Sequence, residues 1–155
     1  MSAKDSLGTF VDGDRNRFLE LLYTIMFARP WGSSKWLRYY SALYPTRKPA
    51  DFAEYSAKLY ANLKERGRLE AMRQMLFASK KASAERISKV NKPALVLMGS
   101  KDPDFKNPES EAKRVADALR SKYVMIENAG HYPHAEMPEA TAPPIIAFMD
   151  SLKKG

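Results

Sequence analysis

Acidic and histidine side chains stand in two loops in the second half of the chain. Asp102 and Asp104 lie in the loop formed by residues 99–105, and His131 lies in the loop formed by residues 128–139. A carboxylate that accepts a hydrogen bond from one ring nitrogen of an imidazole holds the ring in a single tautomer. Such a pair is the orienting half of a nucleophilic triad. The residue types therefore allow acid–base chemistry, provided that the fold brings the two loops together.

The residues before each loop predict parallel strands. Residues 94–98 and 123–126 are short apolar runs, which are typical of strands buried on both faces. Between them, Asn107 followed by Pro108 indicates the start of a helix. A strand, a helix and a strand within so short a stretch form a βαβ unit, so the two strands are expected to be parallel. Ligands of open α/β sheets bind at the carboxyl ends of the strands, where both loops lie.

The first half of the chain has apolar residues at helical spacing, which predicts four helices before residue 81. We expect a first helix over 15–28 and a second that is capped by Ser33 or Ser34 and stopped by Pro45. A third helix is expected to begin at Asp51 with Glu54 and to be closed by Gly67. A fourth carries Leu69, Met72 and Leu76. A polar joint at 80–83 and a short turn around Ile87 follow. The chain ends in a helix that is expected to hold Pro143 and Pro144 in its first turn.

Aromatic and methionine side chains recur along the predicted helices. They form a core, or one face of them lines an apolar substrate pocket, because rigid rings and flexible Met suit both. The helical part offers Trp31 and Trp36, together with Tyr39 and Tyr40, for an apolar pocket. Tyr132, beside the histidine, either lines the same pocket or packs under the helices. Trp31, Trp36 and Tyr132 are therefore the candidates for substrate contact.

The composition excludes several classes of protein. The chain has no cysteine and only two histidines, so we expect no disulfide, no thiolate nucleophile, no metal centre and no cofactor. Residues 1–90 carry the whole net charge of +8, and residues 91–155 are neutral. No nucleic-acid-binding signature accompanies this charge, so solvated helix faces are the better interpretation. The lack of a basic-then-apolar leader and of a long apolar run predicts a soluble, cytoplasmic protein without a membrane partner.

Both loops resemble the C-terminal part of the α/β-hydrolase superfamily. The resemblance is carried by Pro-Ala-Leu-Val-Leu-Met-Gly-Ser-Lys-Asp-Pro at 93–103 and by Asn-Ala-Gly-His-Tyr-Pro-His-Ala-Glu-Met-Pro at 128–138. It implies that Asp102 is the triad acid and His131 the general base. It also implies an α/β fold in which a helical cap, residues 1–88, precedes a βαβ-α part of the hydrolase core, residues 89–155, with about two parallel strands.

Neighbouring residues have alternative interpretations. Asp104 is a second possible acid, although a loop or capping role is the more ordinary one. His134 is better explained by a structural role or a place at the pocket rim than by catalysis. Ser100 is better explained as a turn residue than as a nucleophile. Glu136 and Pro138 belong to the family-like pattern, and we expect them to fix the loop and to start the terminal helix.

The sequence lacks the nucleophile motif of this family. Gly-x-Ser-x-Gly needs two glycines four positions apart, and no two of the seven glycines have that spacing. We therefore expect a missing N-terminal half of the hydrolase core to supply the nucleophile, and the chain alone to be inactive. The expected function is part of a Ser-Asp-His hydrolase of esterase or lipase type, acting on a small apolar ester. The alternative is a non-catalytic binding or interaction module derived from a hydrolase.

Overall fold

The computed structural model of the chain describes residues 17–153, and their side chains from residue 21 onward. This part is mixed α/β and mostly helical, with all of its strands in the second half. In chain order its elements are α1 (Arg17–Met26), α2 (Gly32–Ala42), α3 (Phe52–Lys64), α4 (Arg68–Phe77), α5 (Lys81–Ile87), β1 (Leu95–Gly99), α6 (Pro108–Leu119), β2 (Lys122–Ile126), α7 (Pro133–Glu136) and α8 (Pro138–Leu152).

The strands β1 and β2 lie side by side and run parallel, as predicted. Their register places Leu95 opposite Lys122 at the amino end of the pair. Helix α6 connects them and starts as expected, because the side chain of Asn107 accepts a hydrogen bond of 2.9 Å from the backbone N–H of Ser110. The βαβ unit is therefore confirmed, and both candidate loops leave the same edge of the sheet.

The strands are more deeply buried at their carboxyl ends than in their middle. Gly99 and Ile126, the last residues of the strands, are buried, whereas the apolar side chains before them are half-buried. Helices α6 and α8 each contact both strands. In the part of the chain that the structure describes, each strand has one edge without a partner strand. Such a pair of strands is a template for further pairing.

The helical part has a core of its own, built from apolar side chains of α1 to α4 and of the segment after α2. The rings of Phe27 and Trp36 pack edge to face with centroids 5.7 Å apart, and the Tyr40 ring stacks on Phe52 at 5.5 Å. Aromatic pairs in such geometries add to the stability gained by burial. Part of the aromatic pattern is therefore core. The buried apolar side chains of this part are Phe27, Leu43, Tyr44, Leu63 and Leu69.

Helix α2 begins earlier than its serines predict. Ser33 is buried inside the helix, and neither Ser33 nor Ser34 caps it, so that prediction is wrong. The backbone N–H of Gly32 donates a hydrogen bond of 2.6 Å to the carbonyl oxygen of Ala28, so the chain turns directly from α1 into α2. A Cβ on Gly32 would collide with the carbonyl of Phe27, which explains why glycine begins the helix.

Three further predictions about the first half differ from the structure. Asp51 precedes α3, but its side chain makes no capping hydrogen bond. Gly67, with a φ of +83°, precedes α4 and does not close α3, which ends at Lys64. The expected polar joint at 80–83 lies largely within α5, because this stretch already folds as a helical turn.

The prolines of the last helix lie one turn later than predicted. Because α8 begins at Pro138, Pro143 and Pro144 fall in its second turn. The start at Pro138 itself confirms the role expected for that residue. At the other end of the chain, the predicted helix start at Arg15 lies outside the described residues.

Candidate active site

The loops after β1 and β2 bring Asp102 and His131 into direct contact. The Nδ1–H of His131 donates a hydrogen bond of 2.9 Å to Oδ2 of Asp102. Asp102 is only 4% exposed, whereas 35% of the His131 side chain remains exposed. A buried carboxylate therefore holds a partly exposed imidazole at the carboxyl edge of the sheet, the place where ligands of α/β sheets bind.

The second carboxylate oxygen of Asp102 is also occupied. Its Oδ1 accepts a hydrogen bond of 3.0 Å from the backbone N–H of Asp104, two residues further on. The backbone N–H of Lys101 donates to the carbonyl oxygen of Ala129 at 2.9 Å, which ties this loop to the histidine loop. Hydrogen bonds to both oxygens compensate for the burial of the carboxylate and fix its direction. The turn that contains Asp102 therefore orients its carboxylate independently of the hydrogen bond from His131.

The pKa of His131 is raised above its ordinary value. The main cause is the hydrogen bond to Asp102, the negative charges of Asp102 and Asp104 act in the same direction, and burial opposes them. Because Nδ1 holds its proton against the carboxylate, Nε2 is the basic nitrogen of the neutral ring. Among the described residues, no group makes a hydrogen bond to Nε2. A general base needs a nitrogen that is available in this way.

Asp104 is a second carboxylate beside the same imidazole. Its Oδ2 lies 3.4 Å from Nδ1 of His131, further away than the Asp102 oxygen. Its Oδ1 accepts a hydrogen bond of 2.6 Å from the hydroxyl of Tyr39 on α2, and burial together with this bond raises the pKa of Tyr39 well above its usual range. The shorter distance and the deeper burial make Asp102 the direct partner of His131. Asp104 links that partner to the helical part.

The close approach of the two loops depends on Gly99. A Cβ at this position would overlap the backbone carbonyl oxygens of Ala129 and Gly130. The side chain of Ser100 accepts a hydrogen bond of 2.8 Å from the backbone N–H of Asn128, whose φ is +63°. Ser100 is thus a turn residue that positions the histidine loop, as expected.

Glu136 fixes the histidine loop from within. Its side chain is fully buried and accepts three backbone N–H groups: Gly130 at 2.6 Å on one oxygen, and Thr46 and Arg47 at 2.7 and 2.9 Å on the other. Three hydrogen bonds to a carboxylate offset the cost of burying its charge. Glu136 therefore joins the loop that carries His131 to the segment after α2, and the loop-fixing role predicted for it is confirmed.

An apolar cavity of about 550 Å³ lies between the helical part and the Asp102 loop. Trp36 lines it, as do Pro103 and Asp104. These last two residues directly follow Asp102, the acid of the Asp102–His131 pair, which we call the dyad. Its volume falls in the range of small-molecule sites. Because Asp104 lines this cavity and also lies beside His131, the apolar cavity is next to the dyad. The described residues around it are Tyr23, Met26, Phe27, Lys35, Trp36, Arg38, Tyr39, Ala42, Leu76, Phe77, Pro103 and Asp104.

The other two candidates for substrate contact lie elsewhere. Trp31 is 47% exposed, does not line the cavity, and donates its indole N–H to the carbonyl oxygen of Ile25. Tyr132 also lies outside the cavity lining, and its ring packs 5.3 Å from that of Tyr44 and edge-on to His131 at 4.9 Å. Packing beside the imidazole is therefore what the structure shows for Tyr132. His134 is exposed, and its ring lies 6.1 Å from Tyr132.

Asp102, Asp104 and His131 are also close enough to hold a cation. Each offers one ligand atom, and these atoms lie within 4.8 Å of one another. The same atoms are already joined by the hydrogen bond between His131 and Asp102, in which Nδ1 carries a proton. Metal ligation would require that proton to leave. The structure shows Asp102 and His131 as a hydrogen-bonded pair with Asp104 beside them.

Sequence reasoning missed Tyr39 as a partner of Asp104, and Lys35 and Arg38 as neighbours of the cavity. The two basic residues are three positions apart on α2, a helix with no acidic residue, and that pattern is visible in the sequence. The hydroxyl contact of Tyr39 bridges 65 positions along the chain, and no local pattern signals it.

Comparison with known proteins gives no family. No protein-family model matches the chain, and no curated protein matches it. Among residues 17–153, no helix combines the length and the apolar character needed to cross a bilayer.

Proposed function

We propose that this chain supplies the acid and the histidine of a serine-type triad in an α/β hydrolase of esterase or lipase type. The observation that carries the proposal is the 2.9 Å hydrogen bond from His131 to the buried Asp102, with Nε2 left available. The order of the two motifs along the chain and their place at the carboxyl edge of a parallel sheet support it.

In the proposed reaction, Nε2 of His131 takes the proton of a serine hydroxyl while the serine oxygen attacks an ester carbonyl. Asp102 holds the ring in place and stabilises the imidazolium that forms. The imidazolium then gives its proton to the leaving alcohol. In the second half, the same nitrogen takes a proton from water, which attacks the acyl-serine and releases the carboxylic acid. One ester and one water thus give one acid and one alcohol.

The serine and its oxyanion hole are proposed to come from a further segment of the hydrolase core, in the same gene product or in a separate chain. This part of the proposal is supported by the outer edges of β1 and β2, which no strand of the described residues pairs with, and by the half-buried side chains of both strands. A segment that adds strands to this sheet would also cover the apolar side chains exposed on α8. Those side chains are Ile145, Ile146, Met149 and Leu152.

The helices α1 to α5 are proposed to act as the cap, with the cavity beside Asp104 taking the apolar part of the ester. The hydrogen bond from Tyr39 to Asp104 supports a cap that is coupled to the dyad. A non-catalytic binding module is the second candidate. It is favoured by the combination of a formed cavity with a basic nitrogen to which no described residue makes a hydrogen bond.

A comparison of the purified 155-residue chain with the native protein separates these candidates. An affinity tag added to the chromosomal gene preserves any segment that completes the core. We expect the native protein to hydrolyse p-nitrophenyl butyrate and the purified chain to show no turnover. A native protein without activity favours the binding module. Turnover by the purified chain that His131→Ala abolishes would show that the nucleophile lies within these 155 residues, against the proposal.

A further inference from the structure

The helix α2 contributes two basic residues to the lining of the apolar cavity. Lys35 and Arg38 both line it, and both belong to a helix that contains no acidic residue. Neither side chain makes an ion pair or a hydrogen bond with any described residue. Two positive charges are therefore available at the wall of a cavity whose other lining residues are mostly apolar or aromatic.

Four basic residues on other helices form ion pairs within their own helix. Lys58, Arg73, Lys113 and Arg114 each pair with an acid three or four positions away on the same helix. Such pairs stabilise an exposed helix and neutralise its charge. Lys35 and Arg38 have no acid at those spacings, so local helix stability does not explain them.

The cavity wall contains one acid, Asp104, whose single charge offsets only one of these two positive charges. Asp104 accepts the Tyr39 hydroxyl on one oxygen and faces His131 with the other. Counted over the lining residues, two positive charges stand against one negative charge. A ligand with a single negative charge would balance the wall, whereas a dianion such as a phosphate monoester would overcompensate it. A guanidinium also binds a carboxylate with two parallel hydrogen bonds.

We propose that the cavity binds an apolar or aromatic molecule that ends in a carboxylate, which Lys35 and Arg38 recognise. This inference deepens the proposed function, on which it rests for its view of the ligand as substrate. The substrate class is then an ester whose apolar body carries a carboxylate. The rings of Trp36 and Phe77 would contact the body, because both line the cavity.

Three matched probes test the inference by NMR titration of the 155-residue chain at low salt. They are 4-phenylbutyrate, 4-phenylbutan-1-ol and 4-phenylbutylamine, which share a phenyl ring on a four-carbon chain and end in an anionic, a neutral and a cationic group. We expect the carboxylate to bind at least about tenfold more tightly than the alcohol, and the amine to bind most weakly. The amide signals of α2 should shift. Equal affinities for the carboxylate and the alcohol, or shifts confined to other elements, would overturn the inference.

Variants identify the cations that are responsible. Lys35→Gln with Arg38→Gln should remove the preference for the carboxylate and leave the affinity for the alcohol within about twofold. Lys113→Gln with Arg114→Gln is the matched control, because it also removes one Lys and one Arg from a helix. The inference is wrong if the control pair lowers carboxylate affinity as much as the first pair.

Binding does not need the nucleophile, so the two proposals fail separately. If the chain shows no preference for the carboxylate, the assignment of the cavity is wrong. The assignment of Asp102 and His131 then still stands. A native protein that binds 4-phenylbutyrate with this preference but hydrolyses no ester contradicts the proposed function alone.

Discussion

The backbone N–H of His131 donates a hydrogen bond of 3.0 Å to the carbonyl oxygen of Leu43, a buried residue that follows α2. The preceding Gly130 lies so close to this carbonyl that a Cβ there would overlap it. The candidate base is therefore held from both sides. Its side chain is bound to the loop after β1, and its backbone is bound to the helical part.

The first prediction concerns the two acids beside His131. Asp102→Asn should lower the pKa of His131 by about 1 unit or more, because it removes the charge that accepts the Nδ1–H. Asp104→Asn is the matched control and should lower that pKa less, since its oxygen lies 3.4 Å away and not 2.9 Å. NMR titration of the imidazole signals measures both. An equal or larger effect of Asp104→Asn would make Asp104 the principal acid.

A second prediction follows from the sign of the His131 shift. Because the folded pKa is raised above the unfolded value, the interaction with Asp102 contributes stability that is complete below the unfolded pKa, near 6.5. That contribution is lost as the pH rises through the folded pKa. The destabilisation caused by His131→Gln should therefore be larger at pH 6 than at pH 9, measured by urea unfolding. A constant destabilisation across this window would contradict the raised pKa.

The third prediction concerns Glu136. Glu136→Gln places an amide N–H₂ group among three backbone donors in a fully buried position, so at least one donor loses its acceptor. We expect a loss of about 2–3 kcal/mol in the free energy of unfolding. Glu139→Gln is the control, because Glu139 binds Arg47 at the exposed surface, where water screens the pair. This variant should lose much less of the free energy of unfolding. Similar losses in the two variants would show that the three hydrogen bonds contribute little.

The fourth prediction concerns the approach of the two loops. Gly99→Ala should destabilise the chain by at least about 2 kcal/mol, because its Cβ would overlap the backbone carbonyl oxygens of Gly130 and Ala129. It should also weaken the contact between Asp102 and His131, seen as a lower pKa of the imidazole. In the control Gly67→Ala, no atom lies near the new Cβ, and only the left-handed φ of +83° costs about 1 kcal/mol. A variant Gly99→Ala as stable as the control would mean that the loops are not in close contact.

Local patterns predicted the elements that position the dyad. The Asn107–Pro108 helix start and the two short apolar runs suffice for the βαβ unit, because capping and hydrophobic patterning act within a few residues. The proximity of Asp102 and His131 then follows from strand direction. The start of α2 at Gly32 could not be predicted in this way, since packing against Phe27 outweighs the capping preference of the serines. The contacts of Tyr39 and Leu43 depend on how the helical part packs, which no local pattern records.

The role of His131 as the general base is tested most directly by ester hydrolysis. The rate of the native protein carrying His131→Ala is compared with that of the native protein carrying His134→Ala. Both variants remove a histidine from the same loop, but only His131 is bonded to Asp102. We predict that His131→Ala lowers kcat/KM for p-nitrophenyl butyrate by about 10³-fold or more and that His134→Ala stays within about threefold of the wild type. A His131→Ala variant that keeps the wild-type rate, or a wild-type protein without activity, would contradict the assignment of this chain to a hydrolytic triad.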